Sequence, residues 1–205
     1  MKLFGSYTSP FVRKVRAAAI ELGLAGDIEF APTVVKPTQP NRDYGADVNP
    51  VRRVPALKTD DAGVITDSAL IVEYLDARAG GGKIIPASGP VRWKSLNRAA
   101  VATGGTDALV LAMYEAAIRP EAMQWTEWRV DQMDKAHAAL DWFEGEVGAF
   151  GDGLDAGALA LGCFIGYAQF RFPDVHWFHE RSAVEAWWEA AKTRPAFAET
   201  EPPAS

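Results

Sequence analysis

The sequence predicts an α/β domain followed by an all-helical domain, and three observations support this fold class. Short apolar segments alternate with helix-start signals over residues 1–79. A break containing Gly and Pro follows over residues 80–88, which we interpret as a linker. Residues 89–205 contain long alanine-rich stretches with few helix breakers, as is typical of packed helices. We therefore assign residues 1–79 to the first domain and residues 89–205 to the second.

The first domain is predicted to begin with a strand, a helix and a second strand. Residues 2–6 are apolar enough for a strand, and residues 28–30 alternate as a strand does. Between them, Ser9 and Pro10 are the residue types preferred at the N-cap and at the first helical position. Apolar residues then recur at helical spacing, namely Phe11, Val15, Ala18 and Leu22.

A loop, two strands and a helix are predicted to complete this domain. Residues 36–49 are rich in Pro, Asn, Asp and Gly and are expected to form a loop. Residues 55–59 and 64–66 are expected to be strands on either side of a turn. The helix that begins at residues 67–68 is expected to place four side chains on its inner face, namely Leu70, Ile71, Tyr74 and Leu75.

Four helices are predicted in the second domain. They cover residues 91–118, 121–147, 155–172 and 181–193. The third is hydrophobic on all sides, which predicts burial inside a helical bundle. Gly104 and Gly105 predict a bend in the first. Residues 199–205 are predicted to be a Pro-containing tail.

Composition argues against several classes of protein. The chain carries 21 Lys and Arg against 27 Asp and Glu, so a general nucleic-acid binder is not expected. One cysteine, Cys163, and three histidines predict neither an intrachain disulfide nor a metal site. The sequence lacks both a signal-peptide pattern and an apolar run long enough to span a bilayer. We therefore expect a cytoplasmic protein that binds no metal, no nucleic acid and no membrane.

Three stretches of the first domain contain residues suited to chemistry, and the first surrounds Ser9. Its hydroxyl lies where backbone N–H groups carry the positive end of a helix dipole, which stabilises an anion such as a thiolate. The alternative is that Ser9 is only an N-cap. No histidine precedes residue 137, so Ser9 has no base within the first domain for acyl transfer.

The second and third stretches contain groups that match a peptide-like ligand. If the bond between Val54 and Pro55 is cis, the backbone of Val54 can pair with such a ligand, and Arg52 or Arg53 can meet a carboxylate. Asp67 and Ser68, at a predicted helix start, can hold an α-amino and an α-carboxylate group. In each stretch a purely structural explanation remains open: a trans proline at a strand edge, solvated arginines or a capping pair.

Taken together, the three stretches resemble the glutathione-binding domain of cytosolic glutathione S-transferases. The segments that carry the resemblance are S-P-F-V-R-K-V, N-P-V-R-R-V-P-A-L and D-S-A-L-I-V-E-Y-L. The order and length of the two domains also fit this family. The resemblance implies a thioredoxin-like first domain, an all-α second domain, glutathione as co-substrate and a homodimer.

The resemblance also implies a role for individual residues. Ser9 corresponds to the hydroxyl that bonds the glutathione sulfur, and Val54, before the cis-proline Pro55, corresponds to the residue that pairs with the cysteinyl backbone. Asp67 and Ser68 correspond to the pair that holds the γ-glutamyl end. Arg53 corresponds to a position that is often basic in this family and lies close to the ligand. Tyr7 is a rival to Ser9, because other classes of the family use a tyrosine.

The expected function is conjugation of glutathione to a small apolar electrophile, in detoxification. Two departures from the family pattern limit what is expected. The position of Ser9 holds a cysteine in thiol-transferring members, so disulfide exchange is not expected here. Asp155 begins the buried helix, but Ala158 replaces the aspartate of the family's capping pair. A binding protein without catalysis and a glutathione-dependent isomerase or lyase remain alternatives.

Overall fold

A computed structural model describes residues 1–203, and it divides the chain into two compact units. The first unit contains Met1–Arg92 and the described residues from Pro195 onward, and the second contains Trp93–Arg194. The predicted fold class is confirmed, because a sheet with helices characterises the first unit and the second is helical. Compared with the predicted first domain, the first unit extends further, to Arg92, and also includes the described residues from Pro195 onward, a segment that returns from the far end of the sequence.

A mixed four-stranded sheet forms the centre of the first unit. Its strands are β1 (Lys2–Gly5), β2 (Glu29–Pro32), β3 (Ala56–Lys58) and β4 (Val64–Ile65), in the order β2-β1-β3-β4. β1 pairs in parallel with β2 and antiparallel with β3, and β3 pairs antiparallel with β4. A parallel neighbour requires a crossover, and helix α1 (Pro10–Glu21) supplies it.

Two further helices, α2 (Arg42–Asp47) and α3 (Ser68–Arg78), belong to this unit. α1 packs against α3, and their contact is apolar because the inward side chains Val12, Val15, Ile71 and Leu75 are all fully buried. Burying side chains of this size stabilises the fold by about 1.5–3 kcal/mol each. This packing fixes the N-terminal ends of both helices relative to the sheet.

Two local predictions in this unit are wrong. Residues 42–47 form α2 rather than loop, because the side chain of Asn41 caps a helix by accepting a 3.1 Å hydrogen bond from the Tyr44 N–H. Leu70 is 52% exposed, although it was expected on the inner face of α3. The buried face of α3 contains Ile71 and Leu75, and Leu70 lies about 100° around the helix from Ile71.

The returning segment forms a short helix, α8 (Pro195–Ala198), that packs on α1. Arg13 is buried and donates to the Phe197 carbonyl at 3.1 Å and to the Thr200 hydroxyl at 3.3 Å. A buried guanidinium requires such partners, because its loss of hydration is costly. The sequence prediction placed residues 195–205 in the helical domain, and the structure places the described part of this segment in the first unit.

Four α-helices form most of the second unit, all of whose residues are described: α4 (Gly89–Ala117, which begins in the first unit), α5 (Thr126–Glu144), α6 (Ala156–Arg171) and α7 (Ser182–Ala191). Residues 156–168 of α6 are all buried, as its hydrophobic character predicts. Asp155 caps α6, because its Oδ1 accepts a 2.8 Å hydrogen bond from the Ala158 N–H. Cys163 is a buried residue of this helix.

The predicted bend at Gly104 and Gly105 is wrong, since α4 is continuous through both glycines. A Cβ on Gly105 would lie 2.6 Å from Cζ of Phe164, whereas a Cβ on Gly104 would meet nothing within 4 Å. Gly105 therefore allows α6 to pack closely on α4, and its role is in packing rather than in bending. Within residues 1–203, every helix is too short or too polar to cross a bilayer.

Candidate active site

Strand register brings the three predicted stretches to one end of the sheet. The end of β1 lies opposite the start of β3, because Phe4 pairs with Ala56. The end of β4 lies at the same edge, because Ile65 pairs with Leu57. The segments that follow β1, precede β3 and follow β4 therefore share this edge, and they contain Ser9, Val54–Pro55 and Asp67–Ser68 respectively.

Ser9 is the N-cap of α1 and is half-buried. Its Oγ accepts a long hydrogen bond, 3.4 Å, from the Val12 N–H. A hydroxyl that accepts in this way still has its own proton to donate to an anion. Because α1 begins here, the unsatisfied N–H groups of its first turn carry a partial positive charge next to the hydroxyl.

Tyr7 lies in the same segment and is 44% exposed. Its ring stacks on Phe30 with a centroid distance of 4.3 Å, and the guanidinium of Arg16 lies 4.9 Å from the Tyr7 centroid. Arg16 also donates to the Glu199 carbonyl at 3.2 Å. Burial is the largest cause that lowers the pKa of Arg16. These contacts hold the Tyr7 ring in place, and Tyr7 stays a rival to Ser9 because both lie in the segment between β1 and α1.

The bond between Val54 and Pro55 is cis. Val54 is half-buried, and among residues 1–203 no hydrogen bond engages its backbone N–H or C=O. The preceding carbonyl, that of Arg53, accepts 2.8 Å hydrogen bonds from both the Tyr44 hydroxyl and the Asn49 side chain. The backbone is therefore fixed on one side of Val54 and available for pairing at Val54 itself.

Sequence reasoning missed Tyr44 and Asn49, although both are buried and fix this loop. Burial raises the pKa of Tyr44 to about 12, so its hydroxyl stays a donor at neutral pH. The two arginines that precede Val54 are exposed, and Arg52 has a φ of 51°. The side chain of Arg52 also packs against Gly45 of α2. These contacts tie α2 to the loop that contains Arg53.

Asp67 and Ser68 lie at the start of α3. Oδ1 of Asp67 accepts from the Ala69 N–H at 2.9 Å and from the Leu70 N–H at 3.4 Å, and the residue is exposed. Its second carboxylate oxygen remains available to a cation. Ser68 is buried, in contrast with its neighbour. The bond between Thr66 and Asp67 is also cis.

Two helix N-termini, those of α1 and α3, thus face the same end of the sheet. This arrangement favours anions, because each N-terminus presents unpaired N–H groups. Asp67 adds a negative charge for an ammonium group. The first unit therefore brings together, at one end of the sheet, helix N-termini suited to anions, an unpaired stretch of backbone at Val54 and the exposed carboxylate of Asp67. In the described part of the chain, no group of three or more His, Cys, Asp and Glu residues is arranged to hold a metal ion.

This combination of a mixed βαβ-ββα sheet and a helical unit defines the class of thioredoxin-like domains joined to an all-α domain. Comparison with known proteins identifies the family. The model of the glutathione S-transferase N-terminal domain matches residues 3–83, and that of the C-terminal domain matches residues 99–190. The chain belongs to the glutathione S-transferase family.

Individual relatives match along their whole length. An uncharacterized GST-like protein of Escherichia coli, YibF, is 33% identical over 207 residues, covering 99% of each chain. A glutathione transferase family member from Pseudomonas fluorescens, solved with bound glutathione, is 34% identical with a TM-score of 0.93 over 99% of each chain. A glutathione S-transferase of Methylobacillus flagellatus, also with glutathione bound, is 30% identical with a TM-score of 0.85 over 98% of each chain.

Proposed function

We propose that the protein is a glutathione transferase that binds glutathione in the first unit and conjugates it to a small electrophile. The observation that carries this proposal is the strand register, which brings Ser9, Val54 and Asp67 to the same end of the sheet. The Pseudomonas relative, solved with bound glutathione, supports it, because that chain is similar over its whole length.

Each part of glutathione has a partner in this proposal. Ser9 donates its hydroxyl proton to the sulfur, and the N-terminus of α1 stabilises the thiolate. Val54 pairs through its backbone N–H and C=O with the cysteinyl residue. Asp67 holds the γ-glutamyl ammonium group, while Ser68 and the first turn of α3 receive its carboxylate. Arg53, which is exposed, contributes positive charge near the ligand.

The chemical step is nucleophilic attack by the bound thiolate. The thiol proton leaves to solvent, the sulfur forms a bond to an electrophilic carbon, and the leaving group departs with its bonding electrons. The chain lowers the barrier by holding the sulfur as the thiolate and by positioning it. The Pseudomonas relative has also been solved with S-(propanoic acid)-glutathione, which is a sulfur-substituted form of the peptide.

Conjugation of glutathione to chlorodinitrobenzene tests the proposal, because chloride leaves as the C–S bond forms. Ser9→Ala is expected to lower kcat/KM by about 10- to 100-fold, since it removes one hydrogen bond to a charged sulfur. Ser9→Thr keeps both the hydroxyl and the N-cap and is the matched control. The pH profile of kcat/KM is expected to move to higher pH in Ser9→Ala, because the bound thiol loses stabilisation of its thiolate.

Tyr7→Phe distinguishes the rival residue, because it removes only the hydroxyl and keeps the ring stack on Phe30. A large loss in Tyr7→Phe with little change in Ser9→Ala would transfer the sulfur contact to Tyr7. Tight glutathione binding without turnover of any electrophile would identify a binding protein instead. Unchanged glutathione after the reaction of a substrate would identify an isomerase.

We further propose a homodimer in the cytoplasm. Exposed apolar side chains on the helical unit support the dimer, among them Trp93, which is 68% exposed, and Trp125 and Val130. The buried state of Cys163 is compatible with a reducing compartment. Sedimentation of the purified chain tests the dimer, and Trp93→Glu is expected to shift the protein towards the monomer.

A further inference from the structure

Arg16, a residue of α1, contacts the pair of rings formed by Tyr7 and Phe30. Its guanidinium carbon lies 4.9 Å from the centroid of Tyr7 and 5.9 Å from that of Phe30, and the two centroids are 4.3 Å apart. The three groups therefore form a triangle in which the cation is close to both rings. All three residues belong to the first unit.

The guanidinium of Arg16 is also anchored by the returning segment. Its Nη2 donates to the Glu199 carbonyl at 3.2 Å. Within residues 1–203 its Nη1 is buried without a hydrogen-bond partner, and none of the ion pairs there includes Arg16. The two rings thus stand where water or a carboxylate would otherwise surround this charge. A cation–π contact is stronger when the cation is desolvated in this way.

Tyr7 belongs to a tight turn that ends at Ser9. The Ser9 N–H donates to the Ser6 carbonyl at 3.1 Å, which places Tyr7 and Thr8 at the two central positions of a β-turn. The hydroxyls of Ser6 and Thr8 are also hydrogen-bonded, at 3.0 Å. Because the Tyr7 ring is attached to a central position of this turn, holding the ring restrains the turn and with it the residue at which α1 begins.

We propose that Arg16 is a positioning residue of the sulfur site: by fixing the Tyr7 ring, it fixes the turn that contains the Ser9 hydroxyl. Arg16 follows Ser9 by seven residues, which is about two helical turns, and its guanidinium is engaged by the two rings and by the Glu199 carbonyl. Its effect on the sulfur therefore passes through Tyr7. This inference rests on the glutathione-binding function proposed above, and it holds for either sulfur contact, since Tyr7 and Ser9 share the turn.

Arg16→Met tests the inference, because methionine keeps an apolar stem and removes the cation. With chlorodinitrobenzene, kcat/KM is expected to fall about 10-fold, and the pKa of the bound glutathione thiol is expected to rise by about one unit, since a misplaced hydroxyl stabilises the thiolate less. Affinity for S-methylglutathione should stay within about 2-fold of the parent, because that ligand has no thiol to ionise. Arg16→Lys should recover part of the loss, since an ammonium group also binds ring faces.

Arg78→Met is the matched control, because Arg78 is an exposed arginine in the last turn of α3 and its loss changes the net charge of the same unit equally. A second comparison tests the route through the ring. In a Tyr7→Leu background, which lacks the ring, Arg16→Met should lower kcat/KM by less than about 2-fold further. An unchanged thiol pKa in Arg16→Met, or the full additional loss in the Tyr7→Leu background, would overturn the inference.

Absence of glutathione binding by the parent protein would overturn the proposed function instead. Amide hydrogen exchange then decides the role of Arg16 without any ligand. The Ser9 N–H, which bonds to the Ser6 carbonyl, should exchange about 10-fold faster in Arg16→Met than in the parent if Arg16 restrains the turn. Equal exchange rates in the two proteins would show that Arg16 does not position it.

Discussion

The phenol of Tyr44 donates a 2.8 Å hydrogen bond to the backbone carbonyl of Arg53, directly before Val54 and Pro55. The helix that supplies Tyr44 was not expected from the sequence, yet it holds the backbone that would meet the ligand. Because burial raises the pKa of Tyr44 to about 12, this bond persists throughout the neutral range. The proposed contact of Val54 therefore depends on a residue that touches no ligand in our proposal.

Replacing Tyr44 with Phe is expected to weaken glutathione binding. The Arg53 carbonyl would keep only the bond from Asn49, so the loop would be less well ordered at a cost of about 1 kcal/mol. Calorimetric titration with glutathione measures the effect. The control is Tyr74→Phe, because the Tyr74 hydroxyl also bonds within this unit, to Asp61, but lies elsewhere. Equal affinity in Tyr44→Phe and the parent would contradict the prediction.

Substitutions of Asp67 separate its capping role from its proposed ligand contact. Asp67→Asn keeps an oxygen that can accept from the Ala69 N–H, so its unfolding free energy should match that of the parent. Asp67→Ala loses the cap and should be less stable by about 1 kcal/mol. Both should weaken glutathione binding by about 5-fold, a modest factor because the carboxylate is exposed. Weakened binding in Asp67→Ala alone would show that only the cap matters.

The two adjacent glycines of α4 are expected to respond in opposite directions to alanine. Gly105→Ala would place its Cβ 2.6 Å from Cζ of Phe164 and should destabilise the protein by about 1–3 kcal/mol. Gly104→Ala meets nothing within 4 Å and should stabilise it by about 0.5–1 kcal/mol through helix propensity. Urea denaturation measures both. Similar stabilities of the two variants would exclude the close packing of α6 on α4 at this position.

His137 is expected to make the free energy of unfolding decrease as the pH falls. Its ring stacks on that of Trp177 at a centroid distance of 4.8 Å. Burial is the main cause that lowers the pKa of His137, and Arg181 adds to it. The unfolded chain therefore binds this proton at a higher pH than the folded chain. The stabilisation that comes from keeping His137 neutral is present in full above pH 6.5, the ordinary pKa of a histidine. It is lost as the pH falls from there through the lower pKa of the folded chain.

Urea denaturation at a series of pH values measures this effect. His137→Gln should flatten the decline in unfolding free energy below about pH 6.5, because it removes the titrating group. His176→Gln is the control, since His176 is an exposed histidine of the same unit. A decline that is as steep in His137→Gln as in the parent would assign it to other groups.

The sequence allowed correct prediction of features that depend on near neighbours. The caps at Ser9, Asp67 and Asp155 each involve an N–H two or three residues away, and residue preferences report such contacts directly. The burial of α6, which follows from its hydrophobic character on all sides, and the fold class were likewise predicted correctly. The roles of the site residues in ligand binding stay predictions.

Features that depend on distant neighbours were not predicted. Tyr44 lies in a segment whose Pro, Asn and Gly content indicates a loop, and its partner is nine residues away. Gly105 has the same residue type as Gly104, and only the approach of Phe164 distinguishes the two.

The hydrogen bonds from Arg13 to residues 197 and 200 have a consequence for how the chain is made. A ribosome completes α1 long before it adds the Phe197 carbonyl and the Thr200 hydroxyl that receive the Arg13 donors. Until then the guanidinium has to remain hydrated, and the surface of α1 that α8 covers stays open to water. Residues 93–194, which form the helical unit, are therefore translated before the first unit has these hydrogen-bond partners.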